Sequence, residues 1–119
     1  MRDHRKLRTF ELADRLALRT YEVTRSFPKE ELYGLTSQMR RASVSVPSNI
    51  VEGCARSTQA EYLRFLEIAF GSLRELHYQF SLAGRLGYLS HDELGLILEQ
   101  CSEAERVIGG LMRALRHSP

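Results

Sequence analysis

Between Tyr62 and Ala83 the apolar residues fall at Tyr62, Leu66, Ala69, Leu73, Leu76, Phe80 and Ala83, in steps that alternate four and three without a miss. Strand side chains change face at every residue, so this spacing excludes a strand and describes a helix with a heptad seam. A seam that narrow must be covered by other helices. Leu94, Ile97, Cys101, Ala104, Ile108, Leu111 and Leu115 repeat the alternation, so the covering helices have the same character. Thr58 with Glu61, and Ser90 with Glu93, stand where capping boxes would open the two segments, and Gly87 is placed to end the first.

The first half of the chain carries the same period less cleanly. Phe10, Ala13, Ala17, Thr20, Thr24 and Phe27 form one stripe, which stops at Pro28, and Lys29, Glu30 and Glu31 make a polar connection before Gly34. A second helix begins near Thr36, with Leu35, Met39, Ala42, Val46, Ile50 and Gly53 on its core side. Within it, Ser43 to Pro47 alternates polar and β-branched residues, which alone would read as a short edge strand. An isolated strand would leave its backbone groups unpaired, so a helix bent at Pro47 is preferred. The expectation is an all-α, antiparallel up-and-down four-helix bundle crossing at about 20°, its second helix kinked at Pro47.

A chain of 119 residues, 43% apolar and 27% charged, is enough for one domain with its own core. The bundle is assigned to residues 10–117 and a basic, flexible N-terminal arm to residues 1–9. Arg2, Arg5, Lys6 and Arg8 against Asp3 give that arm a local charge of +3, and the rest of the chain sums to −1. Nucleic-acid-binding domains usually show a strong basic excess, so any such evidence here must be local. No stretch approaches the roughly 20 apolar residues of a membrane span, and no apolar run follows the first charges. A cytoplasmic protein with no membrane partner is expected, with Cys54 and Cys101 as free thiols.

Catalytic chemistry has little support. His4, His77, His91 and His117 and the two cysteines lack the close pairings of zinc sites, so no metal is expected. Glu61, Glu67 and Glu75 have no Glu-x-x-His partner and read as a solvated face. Ser43, Ser45 and Ser48 have no nearby base to activate a hydroxyl. Gly71-Ser72 and Gly109-Gly110 lack phosphate-loop surroundings, and close helix contacts are the expected reason for these glycines. The reading is a non-enzymatic protein without a cofactor.

The segment from Gln38 to Arg56 holds too many polar residues for a core helix. Gln38, Arg41, Ser45, Asn49 and Glu52 form a polar row at helical spacing beside the apolar one. Gln38, Ser45, Asn49 and Glu52 are therefore candidates for a structural polar ladder that fixes register against another helix or subunit. Arg40, Arg41 and Arg56, with Arg64 beyond, are candidates for a cleft that takes an anionic partner, phosphate first.

The run FPKEELYGLTSQMRRASVSVPSNIVEG at 27–53, then AR-S at 55–57, EYLRFLEIAFGSLREL at 61–76 and LGYL at 86–89 resembles the four-helix bundle family of proteins encoded in 23S rRNA intervening sequences. The likeness spans about residues 10–116. The first helix departs from it, because a tryptophan common there is missing and this chain has none. The resemblance implies an up-and-down bundle assembled as a ring-like homopentamer with no established enzymatic activity. Related bundles act as accessory proteins beside reverse transcriptases in diversity-generating retroelements, where the pentamer holds nucleic acid. A ring repeats a local arginine cluster around one axis, and it needs two different complementary patches on each protomer. Tyr33, Tyr62, Tyr78 and the Phe70 side of the third helix are the candidates for those patches.

Two functions follow. In the first, a homo-oligomer binds RNA or DNA, and Arg40, Arg41 and Arg56 converge on an open surface. In the second, those arginines are consumed by Glu52 and other carboxylates, and the oligomer is a scaffold for a protein partner.

Overall fold

A computed structural model of the chain describes residues 2–118. Four helices account for most of it: α1 at Arg8–Thr24, α2 at Leu35–Cys54, α3 at Gln59–Arg85 and α4 at His91–Arg116, with single 3-10 turns at His4–Lys6 and Lys29–Glu31. Each boundary has a local cause. Ser90 accepts from the Glu93 amide while the Glu93 carboxylate accepts from the Ser90 amide, so α4 opens on a complete capping box. At α3 the box is half made. Thr58 Oγ1 accepts from the Glu61 amide, but the Glu61 carboxylate takes the Thr58 hydroxyl rather than its backbone N–H. α3 ends as Gly87 adopts φ +82°, with the Gly87 amide donating to the Gly84 carbonyl and the Tyr88 amide to that of Ala83. That pair of bonds is the Schellman arrangement, and it requires the left-handed residue that glycine supplies.

α1 packs on α2 and α4, and α3 packs on the same two, so α1 and α3 stand diagonally across the bundle. Cross-helix contacts run in opposite chain order. Gln59 reaches the Leu115 carbonyl, Arg74 pairs with Glu105, and Gly84 lies against Leu94. Gly53 lies against Tyr62 and Phe65, while Ser45 meets Ser72. The molecule measures 48 × 24 × 20 Å, and no helix among the described residues is long and apolar enough to cross a membrane.

All seven residues of the α3 seam are buried, and α4 buries its stripe from Ile97 to Ile108, with Leu94 half-buried before it, after which Met112 takes the core position beside half-buried Leu111 and Leu115. α1 is rotated from the expected stripe. Its buried residues are Thr9, Leu12, Ala13, Leu16, Thr20, Val23 and Thr24, whereas Phe10 and Ala17 are half-buried at the boundary with α2. Two of the buried threonines are satisfied locally, Thr20 donating to the Leu16 carbonyl and Thr24 to that of Thr20, whereas the Thr9 hydroxyl is buried without a partner among the described residues. α2 runs unbroken through Pro47, whose ring is buried, and no strand forms over 43–47.

α1 starts inside the segment assigned to a basic arm, and the described part of that segment lies against the bundle. The Arg2 amide donates to the Cys54 carbonyl, the Arg2 guanidinium donates to the Arg56 carbonyl and lies 4.1 Å from the centre of the Tyr62 ring, and Leu7 packs on the core. An arginine over a tyrosine face gains a cation–π contact that a free arm would lack.

The expected reason for two of the glycine sites does not hold within the chain. A Cβ at Gly71 would meet nothing within 4 Å, and one at Gly109 would make only ordinary contact with Arg113 and Phe70. The close approaches are at Gly53 and Gly84.

Candidate functional site

Arg40, Arg41, Arg56 and Arg64 do not converge. Arg40 and Arg41 lie in the first two turns of α2, and Arg56 lies just beyond its other end, about 22 Å further along the axis at 1.5 Å per residue. Arg64 is exposed on α3, near Arg56 in sequence. The single cleft expected from these residues is absent because that rise is nearly half of the molecule's 48 Å length. Arg56 is held in place: its guanidinium lies 4.8 Å from the Phe65 ring centre and 3.7 Å from the Glu52 carboxylate, and its Nε is buried without a partner among the described residues.

The polar ladder divides as well. Gln38 and Glu52 are exposed. Between them the Asn49 amide nitrogen donates to the carbonyl and hydroxyl oxygens of Ser45, at 2.8 and 3.0 Å, and the Ser45 and Ser72 hydroxyls share a proton at 2.8 Å. This is a half-buried bridge between α2 and α3. Its α3 member was outside the expected set, although Ser72 interrupts the apolar run IAFGSL where a partner for Ser45 would be sought.

Arg40 and Arg41 belong to a hollow of about 430 Å³ at the start of α2, which Tyr21, Tyr33, Thr36 and Ser37 also line. Arg40 is fixed there by donation from Nε to Thr24 Oγ1 at 2.9 Å and by the Tyr21 ring, 4.8 Å away. Arg41 is exposed, and Tyr33 is 94% exposed. Beneath the hollow, the Glu31 carboxylate accepts from the Leu35 amide and the Tyr88 hydroxyl, two bonds that hold its pKa below the usual carboxylate value.

A second feature lies along the α1–α2 boundary. Phe10, Ala17, Val44, Pro47 and Val51, with Asp14 and Ser48 at its edges, line an open and mainly apolar groove of about 470 Å³. Val44 and Val51 are about two-fifths exposed, and Leu18 and Tyr21 of α1 are also exposed. α1 thus carries apolar residues on two sides, one covered by the core and one uncovered around Asp14. Of the other expected contact residues, Tyr78 is exposed and Phe70 half-buried, but Tyr62 is only 3% exposed and is not a surface residue. It belongs to the core because it stands first in the α3 seam, and burial pushes its phenol up to about 12.

His77 Nδ1 lies 2.7 Å from one oxygen of Glu105 and Arg74 3.1 Å from the other, which ties α3 to α4. Burial pushes the Cys101 thiol up to about 12 and raises that of Cys54, the reverse of an activated thiolate. Among the described residues no three His, Cys, Asp or Glu side chains group as a metal site.

Comparison with known proteins places these features in context. The family model for the 23S rRNA-intervening sequence protein matches residues 5–110. Among solved structures, a protein of unknown function from the S23 ribosomal protein family of Bacteroides thetaiotaomicron VPI-5482 superposes with a TM-score of 0.81 at 19% identity, covering 88% of this chain and 95% of the other. At that identity the likeness carries the fold alone. No curated protein matches.

Proposed function

The chain belongs to the 23S rRNA-intervening sequence protein family, and from that premise we propose that it is a non-enzymatic bundle that assembles with copies of itself and holds nucleic acid on the assembled surface. The observation that carries the reading is the uncovered apolar groove between α1 and α2. A helix in a monomeric bundle needs one apolar stripe, whereas α1 carries two, and contiguous exposed apolar surface marks an interaction site. The occupant proposed for the groove is a second copy of the chain. Gly71 and Gly95 lie within helices where a Cβ would meet nothing in the same chain, and a helix costs about 1 kcal/mol for each such glycine unless another surface requires its flatness. A closed ring, with five copies as the expected number, would repeat Arg41 around one axis and compensate for a body that is nearly neutral.

A scaffold for a protein partner, such as an accessory subunit beside a reverse transcriptase, is the second reading. It is favoured by the ion pairs of Arg8 with Glu103, Arg74 with Glu105 and Arg116 with Glu67, which tie these bases to carboxylates of the same chain. Light scattering on size exclusion, with and without a short structured RNA at about 50 and 200 mM salt, separates the readings, because several phosphate contacts lose orders of magnitude over that range. An oligomer that co-elutes with RNA only at low salt is the expected result. An oligomer that ignores RNA at both salts supports the scaffold, and a monomer under all conditions removes the basis for either.

A further inference from the structure

We propose that the hollow at the start of α2 is a binding site for one nucleotide unit of single-stranded nucleic acid, with its phosphate at Arg41 and the α2 amides and its base stacked on Tyr33. The inference rests on the nucleic-acid reading above and gives that reading a place and a strand preference.

Four observations meet at this corner. Tyr33 is 94% exposed, immediately before the helix, and a tyrosine so fully in water is an open stacking face. Arg40 and Arg41 are not ion-paired to a carboxylate among the described residues, in contrast to Arg8, Arg74 and Arg116 on the other helices. Arg40 is already held by Thr24 and Tyr21, so little side-chain freedom is left to lose when an anion arrives. Thr36 also lines the hollow at 3% exposure and adds a hydroxyl to its wall.

The backbone adds to these side chains. The Leu35 amide is occupied by Glu31, whereas the amides of Thr36 and Ser37 precede the first intrahelical donor after it, Gln38, which reaches the Gly34 carbonyl. Free amides at the positive end of a twenty-residue helix favour an anion. Glu31 caps the same helix end through Leu35 and Tyr88 and, with its pKa lowered, keeps its negative charge there, which the Arg40 and Arg41 guanidiniums must outweigh for an anion to bind. An acidic protein surface could use the arginines and pack on the ring as well, and competition by an acidic peptide separates that occupant from a strand. A duplex could use the phosphate sites, but its bases are stacked on one another and unavailable to Tyr33. The combination therefore selects a single strand.

The test is fluorescence anisotropy with a labelled twelve-nucleotide single-stranded RNA and with the same strand in a duplex, at about 50 mM salt, for the wild type, Tyr33→Ala, Tyr33→Phe, Arg41→Gln and Arg64→Gln. Both corner positions are exposed, and thermal melting confirms that each variant is folded. The single strand is expected to bind tighter than the duplex. Tyr33→Ala should weaken it about tenfold or more while Tyr33→Phe retains it, and Arg41→Gln should weaken it and lower the salt slope by about one. Binding that is unchanged in Tyr33→Ala and Arg41→Gln and lost in Arg64→Gln overturns the corner and leaves the nucleic-acid reading standing. Equal affinity for strand and duplex, or full competition by a polyglutamate peptide, overturns the stacking proposal. A wild type that binds neither RNA removes the nucleic-acid reading and this site together.

Discussion

Glu31 joins three parts of the chain through one carboxylate: the connection it stands in, the first turn of α2, and the Tyr88 hydroxyl beyond α3. Its pKa is lowered first by the Leu35 amide and then by Tyr88. A carboxyl whose folded pKa lies below its unfolded value adds stability that is complete above the ordinary carboxylate range and is lost as the pH falls through the lowered value. Melting followed between pH 7 and pH 3 should therefore show a larger fall for the wild type than for Glu31→Gln, with the two converging at the acid end. Parallel curves would mean that the two hydrogen bonds add nothing to the ionised form. The cysteines give a second residue-scale prediction. With Cys101 buried and pushed up to about 12, and Cys54 raised by burial, a thiol reagent at pH 8 should leave both unmodified in the native protein and label both after denaturation. Fast labelling of one thiol in native conditions would show that its end of the bundle opens.

Among the elements, α3 was fully legible because both of its neighbours press on one seam. Its buried apolar residues follow one seam whose period of 3.5 leaves no choice of side, while Ile68 and Tyr78 stand exposed outside it. α1 was legible as a helix but not in its rotation: Leu12, Leu16 and Val23 face the core while Phe10 and Ala17 face the groove, and both sets satisfy helical spacing. Periodicity identifies an apolar face without saying what covers it. Glycines show the same limit, since their sequence surroundings do not reveal which are pressed upon. A Cβ at Gly53 would come within 2.9 Å of the Phe65 Cβ, an atom fixed to the α3 backbone, so relief requires the helices to separate. Gly53→Ala should destabilise the bundle by about 1–3 kcal/mol. Gly71→Ala, in open space, should stabilise the isolated protomer by about 1 kcal/mol. Denaturant unfolding measures both, and equal effects of one sign would contradict the difference in packing.

For the whole molecule, the fold was legible in full outline and the site only in fragments. Arg41 was marked by its charge on a polar row and Arg40 by its charge beside that row, but Arg56 was grouped with them although the helix rise separates the two ends. Tyr33 was noticed as a contact residue without its association with Thr36 and Arg41, which depends on how the connection from Pro28 to Gly34 turns into α2. What joins the copies is a property of surfaces that have no partner within one chain, so it is tested on the assembly. If copies bind through the α1–α2 groove and dissociate as they unfold, mass action makes the melting temperature depend on concentration. At the per-residue unfolding entropy of ordinary domains, tenfold dilution of a small ring should lower Tm by about 3–5 °C. Val44 and Val51 are about two-fifths exposed, so Val44→Asp with Val51→Asp places charge in the groove while leaving the seams of the core intact. The double variant should be monomeric by light scattering and melt at one temperature across the dilution series, at or below the dilute limit of the wild type. If it remains oligomeric with an unchanged dilution dependence, the copies meet elsewhere. The next surface to test would then be the α3–α4 face around Gly71 and Phe70.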